Sequence, residues 1–331
     1  MSVFIGIDVA AKSFDLVVRK HGKNQVVLTF DQSPKGHARA LKKLQSVKPE
    51  CFVMEATGIY YLDLAVALHS GGMPVSVINP RSFKHFAQLK LQGNKTDGID
   101  SALLAEYAER MGPRLWTPPA PEKLGLRDLG RQINRLVYAR TQAKNRLHAL
   151  ESKRDTLALI LEDERDGIEL LDRRIERLKQ AALDFIQSSP ELAQHWANMT
   201  AAKGIGDASA LAILAELCVL PDNMKAPQVS RYAGLDVRVT QSGTSIHKPG
   251  RLSKSGNTYL RSALFMPAMI AIQYEPRAKA FYDTLVGRGK KKIQAICAVM
   301  RKYLAGLWAC IQSGTPFNAE LLFSDQHMKN S

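Results

Sequence analysis

The sequence predicts an α/β domain over residues 1–118, a coiled coil over 119–189 and a mostly helical domain over 190–331. Three observations predict it. Short strand-like apolar blocks separated by turn formers run up to residue 78. Trp116-Thr-Pro-Pro-Ala-Pro121 is too stiff for a helix or a central strand and breaks the chain. From Leu129 to Leu178 apolar residues recur at alternating spacings of four and three.

Residues 3–9, 14–20 and 25–30 read as strands, the last two joined by His21-Gly-Lys-Asn24, a run of turn formers that predicts a hairpin. Ser33-Pro34 can open a helix to about residue 47, because Ser caps free N–H groups and Pro at the first turn needs no partner. Cys51-Phe-Val-Met54 is a buried strand, 58–69 a helix stopped by Gly71-Gly72, and Val75-Ser-Val-Ile78 a strand ended by Asn79-Pro80; 81–90 and 98–111 are helices. Three meandering strands followed by helix, strand, helix, strand, helix is the order of an RNase H-like fold, with its first strand central.

The coiled-coil seam runs through Leu129, Ile133, Leu136, Ala143, Leu147 and Leu150 and on to Leu178, interrupted by Arg140, Arg154 and Glu164. Asp163-Glu-Arg-Asp-Gly167 fits either a charged helical face or the turn of an antiparallel hairpin. Ser188-Ser-Pro190 closes this segment. Thr200-Ala-Ala-Lys-Gly-Ile-Gly-Asp207 with the apolar run after it resembles a helix-hairpin-helix motif, whose Gly-rich turn, here Lys203, Gly204 and Gly206, offers N–H groups to a phosphate. Residues 237–255 read as a loop, and 257–273 and 292–313 as helices, the first bent at Pro267.

The 46 Lys and Arg outweigh 31 Asp and Glu, for a formal charge of +15 that favours a polyanionic partner. The excess is concentrated: residues 238–302 hold only Glu275 and Asp283 against a dense run of bases. Four well-separated cysteines, with no C-x-x-C pair, read as reduced core residues of a cytosolic protein. No segment reaches the roughly 18 apolar residues of a membrane span. The histidines show no zinc-type spacing, and Tyr60, Tyr61, Trp196 and Trp308 read as core, with Tyr60 near enough to Glu55 to line a site.

On an RNase H-like fold Asp8 falls in the central strand and Glu55 at the end of its neighbour. Asp97 and Asp100 are spaced i, i+3 on one face at a helix start. Taken singly, Asp97 fits a helix cap, Asp100 a solvated position and Glu55 a strand end. Asp8 is harder to place, because a carboxylate inside an apolar strand needs compensation. Together the four oxygen donors suit Mg2+ or Mn2+ flanking a phosphodiester, which is the chemistry of nucleases and strand transfer.

Phe4-Ile-Gly-Ile-Asp8, Met54-Glu-Ala-Thr-Gly58, Val77-Ile-Asn-Pro80 and Asn94-Lys-Thr-Asp97-Gly-Ile-Asp100 resemble the N-terminal signature of the DEDD transposases, the insertion-sequence recombinases related to the Piv DNA invertase. Gly204-Ile-Gly206, Tyr232-Ala-Gly-Leu235, Ser242-Gly243, Arg251-Leu-Ser-Lys-Ser-Gly256 and 260–267 resemble the same family's transposase domain. The resemblance implies a RuvC-like first domain and a serine nucleophile, matched here by Ser242, that forms a covalent phosphoserine link to DNA. It also implies donor and target DNA, a structured guide (bridge) RNA encoded by the same element, and the meeting of both domains at one phosphate. Lys248, Arg251, Lys254, Arg261, Arg288, Lys290, Lys291 and Lys292 are the candidate backbone contacts.

Strand exchange joins two duplexes, so a homodimer or homotetramer is expected, with the coiled coil as the dimer contact. Two rival readings remain open. One is a metal-only nuclease in which water attacks and Ser242 is structural; the other is a non-catalytic nucleic-acid scaffold.

Overall fold

The computed structural model describes residues 2–90, 97–242 and 246–323, which fall into two compact units, Met1–Pro118 and Pro119–Ser331. In chain order the first unit holds β1 (Val3–Val9), β2 (Ser13–Lys20), β3 (Lys23–Asp31), α1 (Pro34–Leu44), β4 (Cys51–Glu55), α2 (Tyr61–Ser70), β5 (Val75–Ile78), α3 (Pro80–Leu89) and α4 (Asp97–Met111). Its sheet has the order β3-β2-β1-β4-β5. β1 is central, antiparallel to β2 and parallel to β4, as an RNase H-like domain requires.

Alternation along the strands divides the core into two layers. Val3, Ile5 and Ile7 with Phe52 and Met54 pack against Ala40, Leu44, Leu64 and Leu68 of α1 and α2. Phe4, Cys51 and Val53 pack on the other face with Phe83 and Phe86 of α3 and Leu103, Leu104 and Ala108 of α4. The β2–β3 hairpin turns through His21 (φ 52°) and Gly22 (φ 72°), a two-residue turn whose positive φ values match the strand twist. α1 is capped by the Ser33 hydroxyl, which accepts from the Gly36 N–H at 3.1 Å. α2 starts at Tyr61 instead of residue 58, because Gly58 adopts φ +64°; Tyr60, expected in the core, is 47% exposed.

The second unit holds α5 (Pro121–Glu151), α6 (Ala158–Ser188), α7 (Pro190–Thr200), α8 (Asp207–Leu217), α9 (Ala226–Tyr232), β6 (Val237–Ser242), β7 (Ile246–Leu252), α10 (Thr258–Ala263), α11 (Phe265–Tyr274), α12 (Pro276–Gly287), α13 (Lys292–Ser313) and α14 (Ala319–Leu322). The coiled coil is an antiparallel hairpin of α5 and α6, turning at 152–157 and not at 163–167. Its seam closes within one chain, burying Ile133, Leu136 and Ala143 of α5 and Ile168, Ile175 and Ala182 of α6. Two of the charges that break the heptad pattern pair across it, Arg140 with Asp172 at 2.6 Å and Glu164 with Arg146 at 2.9 Å, while Arg154 falls in the turn. The base of the hairpin shares one core with the later helices, where Leu126 and Ile186 join Leu211, Leu214, Tyr303 and Trp308.

Two sequence expectations are corrected. Residues 237–255 are not a loop: β6 and β7 pair antiparallel, Val237 with Leu252 and Arg238 with Arg251, after which the register shifts. The alternation of Val237 and Val239 was too short to register as a strand beside so many turn formers. The 257–273 helix breaks at Leu264 and not at Pro267, because the proline ring clashes with the carbonyl four residues earlier, at Ala263.

Candidate active site

The site of the first unit is built on Gly6. A Cβ there would lie 2.0 Å from the Ser101 carbonyl oxygen and 2.3 Å from the Ala105 nitrogen, so α4 sits directly on the β1 backbone. The helix direction is fixed at its other end, where Arg19, opposite Phe4 in the register, binds Glu109 through Nε at 2.7 Å. With Glu109 over the start of β1 and Ser101 over Gly6, the N-terminus of α4 lies toward the Asp8 end of the strand. Glu106, held by Lys90 at 2.8 Å and Arg110 at 2.6 Å, secures the same helix. Burial raises the Glu106 carboxyl, but those two hydrogen bonds outweigh it and leave its pKa below the usual range.

Asp8 is two residues beyond Gly6 and shares its α4-facing side. Ile7 pairs with Met54 in the parallel ladder, so Glu55 stands one step on beside Asp8, on the same face as Cys51 and Val53. Glu55 accepts a 2.6 Å hydrogen bond from the Thr57 hydroxyl. Asp8, Glu55 and Asp100 are all half-buried. The side chain of Asp97, the first residue of α4, lies outside the described residues, as does 91–96 with the whole of Asn94-Lys-Thr. Among the described residues no group of three or more His, Cys, Asp or Glu side chains is close enough to hold a metal ion.

One carboxylate was missed in the sequence. Asp15 lies directly opposite Asp8 in the β1–β2 pairing and on the same face, and it accepts from the Thr29 hydroxyl at 2.6 Å. Its signal was present, since a β-hairpin register pairs residues of constant index sum, but the short loop between β1 and β2 left that register unfixed.

In the second unit the candidate nucleic-acid contacts scatter. Ser242 is the last residue of β6, paired with Ile246 in the ladder; its side chain and that of Lys248 lie outside the described residues. Arg251, Lys254, Arg288 and Lys290 line one cleft. Lys291 and Lys292 are exposed at the start of α13. Arg261 instead turns inward, its guanidinium donating to the Ala233 carbonyl at 2.9 Å. Gly204 (φ +92°) packs beneath α11, where a Cβ would lie 2.7 Å from the Pro267 carbonyl, so its lack of a side chain serves helix packing. Lys203 reaches the Tyr274 carbonyl and Glu275, whereas Gly206 is open at the N-terminus of α8, with Asp207 next to it. Three thiols are held in their protonated form by burial, which pushes Cys218 up to about 12 and Cys51 and Cys310 up to about 11.

A network the sequence did not reveal ties the hairpin to the rest of this unit. Glu216, 1% exposed, accepts from Arg131 at 2.6 and 2.9 Å and from the Asn257 amide, which also donates to the Tyr232 hydroxyl at 2.9 Å. Arg131 also stacks over Tyr259, 5.2 Å from the ring centre.

The comparisons with known proteins cover nearly the whole chain. A DEDD transposase model of the IS110 type matches residues 5–150, and the transposase model of the IS116/IS110/IS902 family matches 197–283. The pilin gene-inverting protein of Moraxella bovis is 30% identical over 324 residues, covering 96% of this chain and 98% of that one; that of Moraxella lacunata is equally similar. The transposase for insertion sequence element IS1111A of Coxiella burnetii is 25% identical over 296 residues, covering 82% and 78%. Among solved structures, T. thermophilus RuvC in complex with a Holliday junction substrate matches 35% of this chain and all of that one, at 19% identity and a TM-score of 0.29. The chain belongs to the IS116/IS110/IS902 family of transposases, enzymes of DNA recombination.

Proposed function

We propose that this protein is a site-specific recombinase of an insertion sequence that cuts and rejoins DNA through Ser242, with Asp8, Glu55, Asp97 and Asp100 as the ligands of a divalent cation, Mg2+ or Mn2+. The observation that carries this reading is the contact at Gly6, which aims the α4 N-terminus at the Asp8 end of β1, beside Glu55. The donor set fits such an ion: all four are hard oxygens, and Asp8 faces Asp15 across a strand pair, an arrangement of like charges that a cation relieves. When bound, the ion would polarise the phosphodiester and stabilise the charge that develops on it.

Ser242 would contribute the attacking oxygen. The Oγ–P bond forms as one P–O ester bond of the DNA breaks; the serine proton leaves to solvent, and the displaced strand oxygen takes one proton back from solvent to end as a hydroxyl. Attack by a strand hydroxyl on the phosphoserine reverses the step and frees Ser242. One phosphodiester replaces another, so no outside energy source is required. A guide RNA from the same element and a dimeric or tetrameric working form complete the proposal, supported by the +15 charge, which suits a large phosphate load.

A supercoiled plasmid carrying the element ends tests the nucleophile. Wild-type protein should yield a covalent adduct whose DNA-linked peptide contains Ser242, and Ser242→Ala should yield neither adduct nor joint product. Retained cleavage by Ser242→Ala with no adduct would establish water as the nucleophile.

A further inference from the structure

The second unit contains a cleft of about 1140 Å3 between the base of the β6–β7 hairpin, α9, α12 and α13. Arg251, Lys254, Arg288, Lys290, Arg301 and Lys302 line it, and no Asp or Glu does. Several arginines elsewhere in this unit have acidic partners, as in Arg131–Glu216, Arg140–Asp172 and Arg277–Glu320; none of the six is in an ion pair among the described residues. Bases gathered in a concave wall without counter-charge focus a positive potential on it.

The interior is apolar. Leu235, Phe281, Leu285, Ile293 and Ala298 form its lining between the bases, and Ile293 is 53% exposed although it opens a long helix. Lys302 lies deeper, its ammonium 5.0 Å from the Phe281 ring centre and donating to the Leu322 carbonyl at 2.6 Å. A phosphate backbone alone would need only the basic rim. An apolar bed inside that rim suits the face of an unpaired base.

We infer that this cleft seats an unpaired stretch of DNA, its phosphates on Arg251, Arg288 and Arg301 and its bases against Ile293 and Phe281. The inference rests on the recombinase reading, because cutting and exchanging strands exposes unpaired DNA. Val237, Gly250 and Leu252, at the base of the hairpin, line the cleft, and Ser242 ends the same strand about five residues on, on the order of 16 Å at strand rise. The seated segment would therefore lie within a few nucleotides of the cut.

Cys297 offers a built-in probe, since it lines the cleft and is half-buried while Cys51, Cys218 and Cys310 are buried. Alkylation of Cys297 in the full-length protein is followed by mass spectrometry with a short single-stranded oligodeoxynucleotide, a duplex of the same sequence and the matching RNA. The single-stranded DNA should slow alkylation about tenfold, the duplex little, and Arg301→Glu should remove the protection while keeping the wild-type circular dichroism. If the protein binds DNA by fluorescence anisotropy but the single strand leaves Cys297 unprotected, the inference falls and the recombinase reading stands. Stronger protection by RNA than by DNA would also overturn it. Failure to bind any DNA would overturn both.

Discussion

At Gly6 the missing side chain lets α4 rest on the β1 backbone, and the placement of Asp100 relative to Asp8 depends on that contact. Gly6→Ala should force the helix away, lowering stability by about 1–3 kcal/mol and removing recombination; thermal unfolding and a plasmid recombination assay check both. Asp15 should behave differently from the tetrad. Asp15→Asn keeps the hydrogen bond from Thr29 and removes one of two facing charges, so the fold should hold or gain stability while cation affinity drops severalfold, read by Mn2+ titration. Asp8 could be singled out in the sequence because it stands inside an apolar strand, and Glu55 and Asp100 only in combination with it and in the family motifs. Asp15 could not, since its role follows from a strand register.

Elements that follow one period were legible. The bounds of β1, β5 and α13 match the sequence expectation residue for residue, and the strand order was implied by the order of elements. The hairpin turn at 152–157 was not, because Glu164 and Arg165 read as turn charges until their partners Arg146 and Glu151 are known. The Arg131–Glu216 pair was invisible for the same reason, its members being 85 residues apart. Glu216→Ala should strand the Arg131 charge and cost about 3–5 kcal/mol by denaturant unfolding, undocking the α5–α6 hairpin from α8. In α1, the His37 ring packs tilted against Phe14, 5.8 Å between centroids, and burial lowers its pKa below the ordinary 6.5 despite the pull of Asp63. The unfolded chain therefore takes up the proton first, and stability contributed by neutral His37 is present above 6.5 and lost as pH falls below it. His37→Gln should flatten that part of the pH–melting curve.

Across the whole molecule the charge is divided between two tasks. In the first unit Asp8 and Asp15 face each other near the end of β1, whereas in the second unit six bases line one cleft with no acidic residue among its lining. DNA affinity should accordingly fall steeply with salt, and replacing Arg288 and Arg301 together by Ala should reduce the slope of log affinity against log salt by about 1–2. No helix among the described residues is long and apolar enough to cross a membrane. The division between units was readable from the Pro-rich break at 116–121, but the cleft was not, because its lining comes from four separated segments. The central claim is that carboxylates distant in sequence hold one divalent cation, and the measurement that reaches it most directly is calorimetric titration of Mn2+ into wild-type and Asp8→Asn protein. The claim predicts saturable binding by the wild type that weakens at least about tenfold in Asp8→Asn with the fold intact; equal binding by the two proteins would contradict it.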